Sequence, residues 1–111
     1  MQTNKTVTET DLFGFLGLCM KAGKLKSGED TVVAAIRDGS AHMIIVAEDA
    51  SANTQKLYSD KCAFYKIRKD SFSECLSLGK CIGKKTRAAL AITDEGFAKA
   101  FEQKLMQFRG E

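Results

Sequence analysis

Hydrophobic residues recur at helical spacing in some segments of the chain and form short unbroken runs in others. The apolar positions within Leu12–Met20 lie one, three or four residues apart, which predicts a first helix over about residues 8–22. Thr8 or Thr10 is the predicted N-cap of this helix. Met43–Ala47 is an apolar run bounded by polar residues, and this pattern predicts a central strand covered on both faces.

The remaining segments continue the alternation between helical and strand patterns. In chain order, we expect a short strand around Leu25, a helix over Glu29–Arg37 stopped by Gly39, a helix over Ala52–Lys61, a strand over Ala63–Ile67, a helix over Ser71–Leu78, a strand over Arg87–Ile92 and a C-terminal helix capped by Asp94. Ser71 and Glu74 have the spacing of a capping box. The C-terminal helix is expected to face the core with Phe97, Phe101, Leu105 and Phe108.

This order of elements predicts an α/β fold. Strands that alternate with helices form a mixed or mostly parallel sheet between two helical layers. The 111 residues contain no proline, and no segment has the composition of a linker, so we expect one domain over residues 1–111.

The composition is that of a globular protein, with 44% hydrophobic and 28% charged residues. No apolar run approaches the roughly 20 residues of a membrane span. Residues 1–6 lack the apolar core of a secretion signal. These features predict a cytoplasmic protein without a membrane partner.

The four cysteines leave three possibilities open: two disulfides, a metal site or reduced thiols. They are Cys19, Cys62, Cys75 and Cys81, with no C-x-x-C pair among them and one histidine, His42, in the chain. Zinc sites usually contain a close ligand pair. Cys19 and Cys75 lie in apolar helical patterns, where free cysteine packs as a small hydrophobe. We therefore expect reduced structural cysteines and no metal.

Positive charge is concentrated in three places, although the net charge is only +3. The clusters are Lys21, Lys24 and Lys26; Lys66, Arg68 and Lys69; and Lys80, Lys84, Lys85 and Arg87. Each taken singly is typical of a solvated surface. In an alternating α/β domain, however, loops at one end of the sheet converge, and converging lysines attract phosphates through counterion release.

The predicted start of the second helix adds groups of a different kind. Ser27 and Asp30 fit a capping-box pattern, which by itself needs no further role. Gly28 also permits close approach of another backbone, and Glu29 or Asp30 can accept hydrogen bonds from base edges. Phosphate contacts position a protein on a nucleic acid, whereas base-edge contacts select the site. RNA is read best where its bases are unstacked.

Candidate catalytic groups are few. One histidine makes no cluster, and no serine lies in a G-x-S-x-G elbow. The segment Gly79–Thr86 is similar to a phosphate loop, but its glycine spacing is one residue short and a strand is predicted after it instead of a helix. We expect a non-enzymatic protein without a cofactor, and a nucleotide-binding enzyme stays a third alternative.

Several segments together resemble a known family. They are Leu16–Leu25, Ser27 with Gly28, Gly39, Ile45–Ser51, Leu78–Gly83 and Ala88–Ile92. In order and spacing, the chain resembles the superfamily of large-subunit ribosomal proteins that bind kink-turn RNA, in particular its small bacterial YlxQ-type members. The resemblance implies a three-layer α/β/α sandwich with a four-stranded mixed sheet. It also implies RNA contact through the start of the second helix and the loop between Gly83 and the last strand.

The chain departs from the family pattern at positions that contact RNA. Family members that bind kink-turns carry an Asn-Glu pair after the glycine and a lysine three residues beyond the glutamate. Aligned on Gly28, these positions are Asp30, Thr31 and Ala34. The family also presents a small apolar residue to a flipped-out base, where this chain has the charged segment 84–87.

The sequence thus predicts a ribosome-associated protein that binds structured, kink-turn-like RNA, with ribosomal RNA as the expected partner and no DNA. Ribosomal or translation-associated proteins are further expected partners. The predicted contact residues are Lys24, Lys26, Gly28, Glu29, Asp30, Thr31, Lys84, Lys85, Thr86 and Arg87. A protein-interaction module on the same fold is the alternative, since a fold does not determine function.

Overall fold

A computed structural model describes residues 6–110 of the chain. These residues form five helices and four strands: α1 Glu9–Lys21, β1 Leu25–Ser27, α2 Glu29–Arg37, β2 Met43–Val46, α3 Ala52–Tyr65, β3 Arg68–Ser71, α4 Cys75–Cys81, β4 Ala89–Ile92 and α5 Glu95–Arg109. Residues 1–5, most of the segment inspected for a secretion signal, lie outside the described residues. No helix within residues 6–110 is long and apolar enough to cross a bilayer.

The four strands make one mixed sheet in the order β1-β4-β2-β3. β4 is antiparallel to both β1 and β2, and β2 is parallel to β3. The register pairs Ser27 with Leu90, and Val46 with both Ala89 and Ser71. The ends of β1, β2 and β3 therefore lie with the start of β4 at one end of the sheet, which we call the loop end.

Each face of the sheet is covered by a separate helical layer and a separate core. On one face, α1, α4 and α5 bury residues such as Leu16 and Phe101 against Ile45 of β2. On the other face, α2 and α3 bury residues such as Val32 against Ile44. β2 and β4 are buried along their whole length, as expected for central strands. The predicted three-layer sandwich with a four-stranded mixed sheet is confirmed.

Side-chain caps begin several helices as the sequence predicts. Thr8 and Asp11 form a reciprocal capping box at the start of α1. The Asp94 carboxylate accepts from the Phe97 N–H at the start of α5. Of the four aromatic and aliphatic residues expected to face the core from α5, Phe101 and Leu105 are buried, Phe97 is half-buried and Phe108 is partly exposed.

The segment from residue 61 to residue 81 differs from prediction. The strand expected over Ala63–Ile67 is wrong, because α3 continues to Tyr65 and the strand is Arg68–Ser71. Tyr58 and Cys62, one turn apart, bury the same face of α3 and extend the helical pattern. The capping box expected at Ser71 and Glu74 is also wrong, since Ser71 lies in β3 and α4 begins at Cys75.

Candidate nucleic-acid interface

The segment 82–88, which we call the glycine loop, leads from α4 into β4 and is fixed by backbone hydrogen bonds. The Lys84 N–H donates to the Gly79 carbonyl at 2.8 Å, and the Arg87 N–H donates to the Cys75 carbonyl at 3.0 Å. The Ala47 N–H donates to the Ala88 carbonyl at 2.8 Å, which ties the loop to the end of β2. The backbone is thus held while Lys84, Lys85 and Thr86 remain exposed.

The glycine loop packs so closely on α4 that one helical position there requires glycine. A Cβ atom at Gly79 would lie 2.6 Å from the Cα of Thr86 and 2.7 Å from the carbonyl carbon and oxygen of Lys85. Real Cβ atoms essentially never approach backbone atoms this closely. The absence of a side chain at Gly79 therefore allows the glycine loop to lie directly against α4.

Arg87 joins the glycine loop to the start of α2. Its Nε donates to the Ser27 hydroxyl at 3.0 Å, and its Nη1 donates to the Thr86 carbonyl at 2.7 Å. Arg87 is half-buried, in contrast to the exposed lysines before it. The side chain holds together the two segments that the sequence singled out, which are 60 residues apart along the chain.

The capping role expected for Ser27 is wrong. Ser27 is the last residue of β1, and Gly28 is the N-cap of α2, with φ +91° and no side-chain hydrogen bond at the cap. This φ lies in a region that side-chain-bearing residues rarely adopt. The Ser27 hydroxyl is available to Arg87 because it does not cap the helix.

The first turn of α2 exposes hydrogen-bond acceptors beside the cationic loop. Glu29, Asp30 and Thr31 are all exposed. Acidic side chains are favourable at this end of a helix, where the dipole is positive. The interface therefore combines carboxylate acceptors on α2 with ammonium donors at Lys84 and Lys85.

The other predicted contact residues lie farther from this junction. Lys24 precedes β1, at the opposite end of this strand from Gly28, and its backbone carbonyl accepts from the Thr93 N–H. Lys26 is exposed in the middle of β1, an edge strand. Both are accessible to a ligand that extends along this edge, although neither contacts the glycine loop through a described hydrogen bond.

The expected convergence of three basic clusters is wrong for the cluster at Lys66, Arg68 and Lys69. β3 starts opposite Met43, which is the end of the sheet away from the glycine loop, and it forms the other edge from β1. By contrast, Lys21 lines the same groove as Gly83, between α1 and α4. The structure thus places Lys21 of the first cluster beside the glycine loop, leaves Lys24 at the far end of β1, and separates the second cluster.

Asp49 is a positioning residue that the sequence did not reveal. Its Oδ1 accepts from the Cys75 N–H at 2.8 Å, so a carboxylate at the end of β2 caps the start of α4. This hydrogen bond holds the pKa of the Asp49 carboxyl below its usual value of 3.8. No local pattern could indicate the contact, because the two residues are 26 positions apart.

Asp49→Ala is expected to lower the stability of the protein at neutral pH and to remove part of its acid sensitivity. Because the folded pKa is depressed, the carboxylate stabilises the fold above its unfolded pKa, and this contribution is lost as pH falls through the folded pKa. The difference in unfolding free energy between the wild type and Asp49→Ala should shrink below about pH 4, as urea denaturation at a series of pH values measures.

Glu48→Ala is the matched control, because it removes the neighbouring exposed carboxylate. Among residues 6–110, Asp49 supplies the side-chain acceptor at the start of α4 and Glu48 does not. The role of Asp49 is contradicted if its substitution costs no more than that of Glu48, or if the cost is independent of pH.

The cysteines lie apart in the core instead of forming a ligand cluster. Cys19 and Cys62 are buried on opposite faces of the sheet, and all four cysteines are free thiols. Burial raises the pKa of the Cys19 and Cys81 thiols to about 11, so both are protonated at neutral pH. Within residues 6–110, no three His, Cys, Asp or Glu side chains are placed to hold a metal ion.

The segment similar to a phosphate loop has the opposite connectivity from one. Gly79 lies inside α4, and the segment that follows leads into β4. A phosphate loop instead leads from a strand into a helix whose N-terminal N–H groups cradle the phosphates. The segment therefore lacks the strand-to-helix connection of a phosphate loop.

Comparisons with known proteins match most of the chain to one family. Residues 10–102 match the ribosomal protein L7Ae/L30e/S12e/Gadd45 family. The chain is 44% identical over 86 residues to the RNA-binding protein YlxQ of Bacillus subtilis (strain 168), covering 78% of this chain and 86% of that protein. It is also 44% identical over 85 residues to the RNA-binding protein YlxQ of Enterococcus faecium, covering 76% and 81%.

Solved structures show the same architecture. A protein of unknown function from Bacillus halodurans superposes with a TM-score of 0.83 and 32% identity, covering 87% of this chain and 98% of that one. The 15.5 kDa RNA-binding protein of Giardia lamblia superposes with a TM-score of 0.73, covering 97% and 92%, at 14% identity. At that identity the likeness concerns the fold alone.

Proposed function

Since the chain belongs to the ribosomal protein L7Ae/L30e/S12e/Gadd45 family as a YlxQ-type member, we propose that it binds structured RNA through the start of α2 and the glycine loop. The observation that carries the proposal is the Arg87–Ser27 hydrogen bond, which holds the two segments side by side. Relatives that are 44% identical are named RNA-binding proteins, which supports the same ligand here.

The two halves of the interface have complementary roles in the proposal. Lys84 and Lys85 neutralise backbone phosphates and position the protein. Glu29 and Asp30 accept from base N–H groups that are exposed where the RNA bends or bulges. Gly28, which has no side chain, lets the RNA approach the backbone at the start of α2.

We further propose a kink-turn-like element of ribosomal RNA as the target, with ribosome-associated proteins as neighbours. Asp30 accepts hydrogen bonds but does not donate them as asparagine does in the family pattern, and Ala34 carries no charge. The glycine loop then supplies the positive charge that α2 lacks at position 34, where the family pattern has a lysine. Its backbone hydrogen bonds hold Lys84 and Lys85 in place before RNA arrives, which lowers the entropic cost of binding.

Lys84→Ala combined with Lys85→Ala tests the proposal. With a fluorescent kink-turn RNA, we expect affinity to fall about tenfold near 0.1 M salt and the slope of log affinity against log salt to decrease by about two. Both side chains are exposed, so the thermal unfolding of the variant should match that of the wild type.

The control variant carries Lys56→Ala and Lys99→Ala. It removes the same charge from exposed positions on α3 and α5, where these lysines pair with Asp60 and Glu95. The proposal is overturned if the RNA forms no salt-sensitive complex, or if the two double variants lose affinity equally.

A further inference from the structure

The C-terminal turn of α3 exposes two adjacent aromatic rings. Phe64 is 79% exposed and Tyr65 is 38% exposed, and their centroids lie 4.9 Å apart at an interplanar angle of 77°. The buried face of α3 is formed by Tyr58 and Cys62, so the Phe64 ring contributes little to the core. Phe64 and Tyr65 together form an exposed apolar patch that the packing of the domain does not require.

Three lysines lie on the same side of the sheet as these rings or next to them in the chain. Lys61 lies one turn before Phe64 and Tyr65 and lines the same groove, which measures about 420 Å³. Lys66 caps α3 in the left-handed conformation, with φ +58°. Lys69 pairs with Ile44, which places its side chain on the α3 side of the sheet. We call Lys61, Phe64, Tyr65, Lys66 and Lys69 the aromatic patch.

The charges of the aromatic patch are not used inside the fold. Among the ion pairs of residues 6–110, none includes Lys61, Lys66 or Lys69. Arg68, between two of them in sequence, points to the other face of the sheet and pairs with Asp70 and Glu102.

Three acids border the patch: Asp60 lies beside the rings, and Glu29 and Asp30 of α2 line a second groove with Lys61, without an ion pair to it among residues 6–110. The Asp60 carboxylate is bound by Lys56 at 2.8 Å. The lysines of the aromatic patch are therefore free to attract an anion.

We propose that the aromatic patch binds an unpaired segment of RNA. One base stacks on Phe64, and Lys61, Lys66 and Lys69 contact the flanking phosphates. Exposed aromatic rings on a cationic surface are the combination by which proteins hold single strands without regard to sequence. The cores of protein–protein interfaces are instead depleted in lysine, so the three lysines favour a nucleic acid over a protein.

This site is distinct from the glycine loop, although Lys61 also lines a groove with Glu29 and Asp30 of α2, and it rests on the proposed function only in taking RNA as its ligand. α3 starts just beyond the end of β2, at the loop end of the sheet, and the patch lies at its other terminus. Fourteen helical residues span about 20 Å. The RNA held at the aromatic patch is therefore an extension of the structured element, outside its folded centre.

Phe64→Trp provides a direct readout, since the chain contains no tryptophan. Titration with an oligouridine of about ten nucleotides should quench the tryptophan emission in a salt-sensitive manner, because a base stacks on the indole ring. The matched control is Met106→Trp on α5, at a position 38% exposed in the helical layer on the other face of the sheet. Its emission should change little.

Phe64→Ala should weaken oligouridine binding by about tenfold, whereas Phe64→Tyr should retain it, because a tyrosine ring also stacks. Met106→Ala should leave the affinity unchanged. The inference is overturned if Phe64→Ala binds oligouridine as the wild type does, or if both tryptophan variants are quenched alike. Loss of affinity for a co-purified protein, with oligouridine binding intact, would equally overturn it in favour of a protein ligand.

These measurements test the two proposed sites independently of each other. If Phe64→Ala has no effect while the Lys84 and Lys85 double variant loses the kink-turn RNA, the aromatic patch is rejected and the proposed function stands. If the reverse holds, the glycine-loop interface is rejected and the aromatic patch stands.

Discussion

Replacing Gly79 by alanine is expected to destabilise the protein and to weaken its binding of structured RNA. In most helices this substitution stabilises by up to about 1 kcal/mol, because alanine has the higher helix propensity. Here the new Cβ would lie 2.6 Å from the Cα of Thr86 and 2.7 Å from backbone atoms of Lys85. Backbone atoms cannot rotate away, so the glycine loop must move, at a cost of about 1–3 kcal/mol.

The displaced glycine loop should also disturb the interface, since Lys84 and Lys85 lie on it. Urea denaturation measures the stability, and titration with the kink-turn RNA measures the affinity. Gly14→Ala in α1 is the matched control, because a Cβ there meets no atom within 4 Å. It should stabilise the protein and leave RNA affinity unchanged. A gain of stability in both variants would contradict the close packing of the loop on α4.

Phe101→Ala is expected to have the largest effect on stability. Phe101 is completely buried, and its ring lies 6.3 Å from Phe15 and 6.1 Å from Phe72. Truncating such a side chain removes its burial energy and leaves a cavity, which costs about 3–5 kcal/mol. The free energy of unfolding of domains of this size is only about 5–15 kcal/mol, so a large fraction of it is lost.

The midpoint of urea denaturation should fall sharply for Phe101→Ala, with the slope of the transition unchanged if the variant still unfolds in two states. Phe64→Ala is the matched control, since it removes the same atoms from a ring that is 79% exposed. It should change the stability by less than about 0.5 kcal/mol. Similar losses in the two variants would show that Phe64 packs in the core.

The alternation of hydrophobic patterns was enough to predict the layers of the fold. Apolar residues recur every three or four residues in a helix because one of its faces is buried. Central strands are uniformly apolar because both of their faces are buried. The caps at Thr8 and Asp94 could be predicted because a cap is a contact within three residues. The pattern predicted four strands in a mixed or mostly parallel sheet, and the family resemblance implied the mixed sheet.

The edge strand β3 could not be predicted from its own residues. Its sequence, Arg68–Ser71, is polar, and none of its four residues is fully buried. It forms a strand because β2 pairs with it in parallel and because Arg68 and Asp70 find partners on α5, at Glu102 and Arg109. These partners are more than 30 residues away along the chain, so no local pattern could predict them.

The candidate interface divides in the same way. The sequence alone determined which segments are proposed to contact RNA: a glycine-flanked helix start with acids, and a glycine loop with lysines. The tertiary structure alone decided that Arg87 joins them, that Asp49 caps α4, and that the cluster at Lys66 lies elsewhere. The physical reason is the distance along the chain over which each property acts. Charge and backbone freedom belong to single residues and can be read from the sequence. A hydrogen bond between distant residues forms only once the sheet has set its register.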